Sequence, residues 1–375
     1  MSTSTDAPFR FYDNRQKYLQ FVTTTNEKWR VAERAARELT SLRPEPPALR
    51  LFDAGIGDGT VLAHLMRSMH RRFPTVPFYV VGKEISLEDV RLTLEKLGDR
   101  FIEHPASVVV ITNLHYAEAP RLLPNTPEKA DRMVVEYVEL EGDDSHGFGE
   151  QLRAMDDFMV ENWTVEPSKK TGNPLYKTPA AMVIHRKDQK FALDRVIPRP
   201  DEHVADYDLI VASQPWRSRT GADFKVSKIL CPLSNSLRPS GVLLGIQSKG
   251  DDPGIEIVRN IWPDEEPFPV DRHELLKVLH DELGDNVRNF DLMALPETES
   301  TLTYEMHTLP SEIGNNIGTS TLFAAWNAAI YVAQIEDQRV EEAALDGSYL
   351  EATAKVLQDR GGLWFNDETF VVRRT

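Results

Sequence analysis

The chain reads as an α/β protein built on a mostly parallel, doubly wound sheet, and three observations carry that reading. Residues 50–62, Arg-Leu-Phe-Asp-Ala-Gly-Ile-Gly-Asp-Gly-Thr-Val-Leu, join a short apolar run, glycines at alternate positions and the start of an amphipathic helix. Tyr79-Val-Val-Gly-Lys-Glu-Ile-Ser86 is a second buried-looking strand that ends in an acid. Further apolar runs at 107–113, 207–212 and 242–247 alternate with helical patterning, as βαβ units require. Strand, glycine turn and helix is how such a sheet presents a ligand at the carboxyl ends of its strands.

The first strand closes at Asp53, and Gly55, Gly57 and Gly59 follow before a helix begins near Thr60. Glycine suits this turn because it accepts φ values closed to other residues and lets a ligand approach bare backbone. A dinucleotide fingerprint would read G-x-G-x-x-G. Here the spacing is G-x-G-x-G, and Asp53 and Asp58 flank the glycines. Carboxylates there repel a pyrophosphate and suit a cationic or zwitterionic ligand. No Gly-Lys-Ser/Thr follows, so the loop is not of the P-loop type. Glu84 lies downstream near the distance at which such folds place a ribose-binding acid.

With these residues the chain resembles the class I S-adenosylmethionine-dependent methyltransferases. Their acid followed by G-x-G-x-G is matched by Asp53-Ala-Gly-Ile-Gly-Asp-Gly59, and the acid ending their second strand by Glu84. The resemblance implies a seven-stranded sheet and S-adenosyl-L-methionine as cofactor, with S-adenosyl-L-homocysteine as product. It implies cofactor contacts from Asp53, Gly55, Gly57, Asp58, Gly59, Glu84 and the adjacent Ile85. It also points to Asn113 and Leu114 beside the adenine, although the family often has an acid where this chain reads Asn113-Leu-His-Tyr116. A polar turn capping the third strand is the alternative there. The remaining strands would be 207–212, 242–247, 291–295 and 302–308, with a helix around 273–283 and a turn at Pro296-Glu-Thr-Glu-Ser300.

Three regions fall outside the resemblance, a helical cap (1–45), an insertion (117–205) and a carboxyl-terminal extension (311–375), and they leave an expected core split into 46–116 and 206–310. Residues 14–42 suggest an amphipathic helix or helix pair with Tyr18, Phe21, Val22, Trp29, Val31, Ala35 and Leu39 near one face. The insertion far exceeds the ~2–6 residues of an ordinary connection. It holds a strand-like 133–140, a helix-like 149–163, a Lys/Gly/Asn/Pro segment at 168–174, and strand-like 181–185 and 190–196. That content suffices for an α+β lid subdomain. The extension adds helices near 322–335 and 349–360 and an end strand at 363–373, with Gly361-Gly362 as a cap between the last two.

Bulk properties narrow the function. A hydrophobic content of 41% over 375 residues supports a large core. No apolar run is long enough to span a bilayer, and Met-Ser-Thr-Ser-Thr-Asp lacks a signal-peptide layout, so a cytoplasmic, non-membrane protein is expected. The single Cys231 excludes an intrachain disulfide or a cysteine-built metal site; a buried thiol on the helix after the fourth strand is expected. A net charge of −16 disfavours a nucleic-acid substrate, whose binding rests on neutralising phosphates.

Methyl transfer from a sulfonium needs alignment of nucleophile, methyl and sulfur, plus removal of a proton where required; it needs no metal and no nucleophilic side chain. The resemblance places acceptor-facing residues after the fourth strand, at Ser213-Gln-Pro-Trp216, making Ser213 and Trp216 candidates for catalysis and Ser213 also for the cofactor. That run is similar to the (Asn/Asp/Ser)-Pro-Pro-(Tyr/Phe/Trp) motif for planar nitrogens, with Gln214 in place of the first proline. Pro215 and Trp216 walling the pocket is the other reading. His115 is the candidate base, with Tyr116, His146 and His185 as lesser ones. The expected function is methyl transfer to an N or O acceptor on a small molecule or protein side chain. The alternatives are a non-catalytic cofactor-binding scaffold or an NAD(P)-dependent oxidoreductase. The apolar helix 322–335 could serve a homodimer or be buried within the subunit.

Overall fold

The computed structural model describes residues 15–168, 174–199, 205–308, 310–314 and 317–375. The first strand, β1 (Leu49–Asp53), lies between β2 (Phe78–Lys83) and the later β8 (Tyr207–Ser213), both parallel to it. Beyond β2 comes the parallel β3 (Ser107–Thr112); beyond β8 comes the parallel β9 (Leu237–Ser248). The chain thus winds outward from β1 in both directions, and the order reverses between β1 and β8. Crevices for ligands form at the carboxyl end of such a switch point.

On the β9 side the sheet continues through β12 (Trp364–Arg374), antiparallel to β9, to β10 (Phe290–Met293) at the edge. These seven strands, β10-β12-β9-β8-β1-β2-β3, are the expected core. One assignment is corrected. The segment 302–308 is not the seventh core strand; β11 (Thr301–Glu305) is short and pairs with β12 alone. The seventh strand is the carboxyl-terminal one, whose eleven residues pair with β9, β10 and β11. Its fit to β9 is close: a Cβ built on Gly245 would lie 2.2 Å from Phe370 Cζ.

The insertion is built onto the main sheet. Its β7 (Ala180–Arg186) runs antiparallel to β3, and β4 (Val134–Leu140) pairs in parallel with β7, so the full sheet has ten strands. A small ribbon of β5 (Val165–Pro167) and β6 (Pro174–Tyr176) stands apart. The helix expected over 149–163 is two, Ser145–Arg153 and Asp156–Asn162. Segment 190–196 is a turn, not a strand, with Leu193 and Val196 buried. Of the polar segment 168–174, residues 169–173 lie outside the described residues.

Helices cover both faces. On one face α2 (Glu27–Glu38), α3 (Thr60–Arg72) and α4 (Leu87–Glu103) pack against Leu49, Leu51, Val211 and Ile246. The segment 222–234 and the helix Arg272–Leu283 cover the other, against Phe52, Ile210, Leu243 and Phe370. A third cluster joins α1 (Arg15–Thr24), the helix Pro253–Ile261 and the carboxyl-terminal helices Thr319–Val332, Asp337–Asp346 and Ser348–Arg360. Ala325, Trp326, Ala328 and Ile330 are buried within this chain. Gly361 closes the last helix at φ 71°, the left-handed cap glycine favours. Cys231 is half-buried rather than buried. Among the described residues, no helix is long and apolar enough to cross a membrane.

Candidate functional site

The glycine loop follows β1 at the switch point, and its conformation explains its glycines. Gly57 and Gly59 have φ of 52° and 79°, a region strained for other residues. A Cβ on Gly57 would meet Tyr18 Oη at 2.8 Å, and one on Gly59 would meet the backbone of Thr93 at 2.8 Å. Gly55 has nothing within 4 Å of its Cβ position, so its backbone is open to a ligand. Gly59 also begins α3, whose first amides and dipole lie beside the loop.

Glu84 follows β2 and is locked to the loop. Gly57 N–H donates to its Oε2 at 3.0 Å, while the amides of Ile85 and Ser86 donate to Oε1 at 2.7 and 2.9 Å. Two amides occupy Oε1 and one occupies Oε2, which leaves acceptor capacity on Oε2 for a further partner. Asp53 is buried; its Oδ1 accepts from Gly55 N–H at 3.2 Å, and its Oδ2 accepts no hydrogen bond. Burial pushes the Asp53 carboxyl up to about 6, opposed by the Gly55 bond and the charge of Lys28.

Asp58 has a different task. Its Oδ1 accepts from Thr60 N–H, its backbone amide donates to Tyr18 Oη at 3.2 Å, and Lys96 Nζ lies 3.4 Å from Oδ2. Burial raises this carboxyl, but the Thr60 hydroxyl, Lys28 and Lys96 outweigh it and hold it below its usual value. Asp58 therefore braces the loop from behind.

The side chains after β3 are engaged within the chain. Asn113 is fully buried and spends its amide on the carbonyls of Asn162 and Thr178, at 3.0 and 2.8 Å, and on Ala180 N–H at 2.9 Å. It ties the insertion to the sheet. Leu114 is fully buried in the core. The His115 ring lies 4.7 Å from the Tyr176 ring, and its pKa is lowered, chiefly by burial. His185 pairs with Val108 at the amino end of β3, away from the loop.

After β8 the chain turns through Gln214, which adopts φ 50°. Gln214 Nε2 donates to Ser248 Oγ and Asp367 Oδ1 at 3.0 and 3.2 Å. Tyr116 Oη donates to the Pro215 carbonyl at 2.8 Å, so that acceptor is already engaged. Trp216 is buried; its indole N–H donates to Gln247 Oε1 at 3.1 Å, and Lys225 Nζ lies 5.5 Å from its ring. It walls the core instead of presenting a free face. Ser213 is half-buried at the carboxyl end of β8, on the strand face of Asp53.

Tyr18, Lys28 and Trp163 complete the surroundings, and their roles carried no sequence motif. Tyr18, on α1, covers the loop; Lys28 Nζ sits 5.6 Å from its ring centroid. Trp163 Nε1 donates to the Glu84 carbonyl at 2.9 Å, bracing the end of β2 from the insertion. Helical periodicity marks Tyr18 as an inward residue, but only the packing of α1 on the loop gives it this place.

No family model matches the chain, and no curated protein matches it. Solved structures with a similar arrangement include geranyl diphosphate methyltransferase in complex with GPP and sinefungin, at 13% identity. That match covers 91% of this chain and 76% of the other, with a TM-score of 0.32. YjhP from E. coli is 11% identical, with 92% of each chain covered and a TM-score of 0.34. PKMT2 from Rickettsia typhi in complex with AdoHcy is 11% identical over 92% of this chain and 53% of its own, at 0.31. Similarity at this level does not define a chemistry for the present chain, and the site has to be read from its own residues.

Proposed function

We propose that the protein is an S-adenosylmethionine-dependent methyltransferase acting on a nitrogen or oxygen of a small molecule or a protein side chain. One observation carries the reading: the G-x-G-x-G loop at the switch point is clamped to Glu84 through Gly57 N–H, 3.0 Å from Oε2. The residues fit the cofactor. Glu84, immobilised by three amides, keeps acceptor capacity on Oε2 for a ribose hydroxyl. Asp53 offers an unpaired buried oxygen to a donor, and the open Gly55 backbone admits close approach.

When bound, the cofactor supplies an activated methyl group: its carbon–sulfur bond breaks as a carbon–nitrogen or carbon–oxygen bond forms in line, and the acceptor's proton leaves. The protein's contribution is alignment and exclusion of water. Asp58, Thr93 and Tyr18 hold the loop, and Ser213 lies at the carboxyl end of the strand next to β1, beside where an acceptor would enter. Burial lowers the pKa of His115, which favours the neutral form a base needs, but it stands on the β3 side of the site. The acids flanking the loop weigh against NAD(P), whose pyrophosphate they would repel.

Calorimetry with S-adenosylmethionine, S-adenosylhomocysteine and NAD tests the reading. The two sulfur compounds should bind and NAD should not; Glu84→Gln should weaken S-adenosylhomocysteine about tenfold or more. Gly57→Arg should abolish binding. Binding of NAD alone would overturn the proposal. Binding without labelled-methyl transfer to any metabolite or protein pool would leave a cofactor-binding scaffold.

A further inference from the structure

A second set of buried acids lies three strands away from Asp53 along the same sheet edge. Asp367 is on β12, and its strand face is fixed by Thr369, whose Oγ1 accepts from Arg34 Nε of α2 at 3.4 Å. Asp367 is fully buried. Its Oδ1 accepts from Gln214 Nε2 at 3.2 Å, but Oδ2 accepts no hydrogen bond. Glu27, the first residue of α2, is the strongest charge acting on it and is itself only 4% exposed. The Glu27 Oε2 has Lys28 Nζ at 3.3 Å yet makes no hydrogen bond of acceptable geometry. Asp252, nearby, is satisfied by the amides of Ile255 and Asn366 at 2.8 and 2.9 Å.

A buried carboxylate oxygen without a donor costs about 1–3 kcal/mol or more, and native proteins rarely leave one unexplained. Among the described residues no donor reaches Asp367 Oδ2. Gln214 donates to Ser248 and to Asp367 Oδ1, and Ser248 is a further hydrogen-bonding neighbour of the Asp367 carboxyl. The position is informative too. Asp53, Ser213 and Ser248 end β1, β8 and β9, and Asp367, near the amino end of the antiparallel β12, continues the row along the same sheet edge, on the face covered by α2. Asp53 and the loop lie at the cofactor end of this row, and Asp367 at the other.

We propose that Asp367, with Glu27 beside it, is the recognition subsite for a cationic group on the methyl acceptor, a protonated amine or a guanidinium. This rests on the methyl-transfer reading. A carboxylate in a desolvated site accepts charge-assisted hydrogen bonds from such a group, and an anionic acceptor would be repelled. The same site has a proton signature. Asp367 is held well above its usual range by burial first and then by Glu27, so a proton and a bound cation compete for its carboxyl. Asp252 and Tyr304 on β11 also act on Asp367, and Lys28 and Tyr331, on the helix Thr319–Val332, act on Glu27.

The test uses the full chain saturated with S-adenosylhomocysteine, titrated calorimetrically with methylamine, tyramine, agmatine and spermidine. Tyrosol and 4-hydroxyphenylacetic acid serve as neutral and anionic counterparts of tyramine. At least one amine should bind, with tyrosol and the acid weaker than tyramine by about tenfold or more if tyramine is the binder. Asp367→Asn should weaken the bound amine about tenfold or more, Glu27→Gln should weaken it in the same direction, and both should keep wild-type affinity for S-adenosylhomocysteine. The amine's binding heat should vary with the ionisation enthalpy of the buffer, and its affinity should rise with pH, because the cation and a proton compete for the same carboxyl. Binding of no amine, or equal amine affinity in Asp367→Asn, overturns the subsite. Failure of the wild-type protein to bind S-adenosylhomocysteine overturns instead the methyl-transfer reading, and the amine titration of the ligand-free chain then still decides whether the subsite exists.

Discussion

Asp53 shows how one residue's environment sets both its chemistry and its energetic cost. Its raised pKa means that the folded chain binds a proton more tightly than the unfolded one, for which the ordinary value of 3.8 applies. The stability contributed by the protonated form is fully present below that value and is lost as pH rises through about 6. Asp53→Asn removes this titration. Relative to wild type the variant should gain roughly 2–3 kcal/mol between about pH 4 and 7, read by urea unfolding across that range. A gain that does not change with pH would contradict the environment described here. The loop's own acids also show what residue type leaves open. Asp53 and Asp58 are both acids beside glycines, yet Asp53 keeps an unpaired oxygen while Asp58 is consumed by Thr60, Tyr18 and Lys96. Trp216 and Asn113 stand where motif spacing puts site residues, but their polar atoms are spent on Gln247 and on the insertion. Spacing selects a position along the chain; the partners of its side chain come from elements remote in sequence.

At the scale of elements, the parallel core was legible because each strand is buried on both faces and so reads as a continuous apolar run. Val108, Val109, Val110 and Ile111 of β3 are all fully buried. Segments buried on one face, or by a turn, misled: 190–196 has apolar residues at intervals a strand also shows, yet Leu193 and Val196 are buried from a turn. The assignment of 302–308 as a core strand failed for a related reason. β11 and β12 both carry strand residues, and only pairing decides which reaches β9. That pairing makes a sharp prediction. Gly245 faces Phe370 with no room for a Cβ, so Gly245→Ala should destabilise the protein by about 1–3 kcal/mol through overpacking. Phe370→Leu should recover part of the loss, and a double-mutant cycle by chemical denaturation would show the coupling. Independent, additive effects would argue against this contact.

For the molecule as a whole, the carboxyl terminus closes the sheet. β12 lies between β9 and β10 and also holds β11, so its removal strips partners from three strands. Truncation before Leu363 should therefore abolish cooperative unfolding and yield an aggregating chain, even though it leaves 46–116 and the glycine loop intact. Retention of a sharp thermal transition in the truncated chain would refute this. The insertion is anchored in the same way, through β7 on β3 and through Asn113, and Trp163 carries its influence to the carbonyl of Glu84. From the amino end, α1 rests on the helix Thr319–Val332, with Asn327 Nδ2 donating to the Lys17 carbonyl at 3.0 Å. The segments expected to be additions around a core thus brace the sheet's outer strand and the loop.

The amino-acid sequence by itself determined the α/β class, the order of the first five core strands, the glycine loop and its partner acid Glu84. These are local features: periodicity, a turn that demands positive φ, and an acid ending a strand. Tertiary structure alone decided that the last strand of the chain is the seventh of the core, that the polar side-chain atoms of Asp58, Asn113 and Trp216 have partners within the chain, and that Tyr18 and Lys28 border the loop. It alone brought Asp367 beside Glu27 across 340 positions of sequence. Burial and charge neighbours arise from long-range packing, and they set whether a carboxylate braces a turn or stands ready for a ligand.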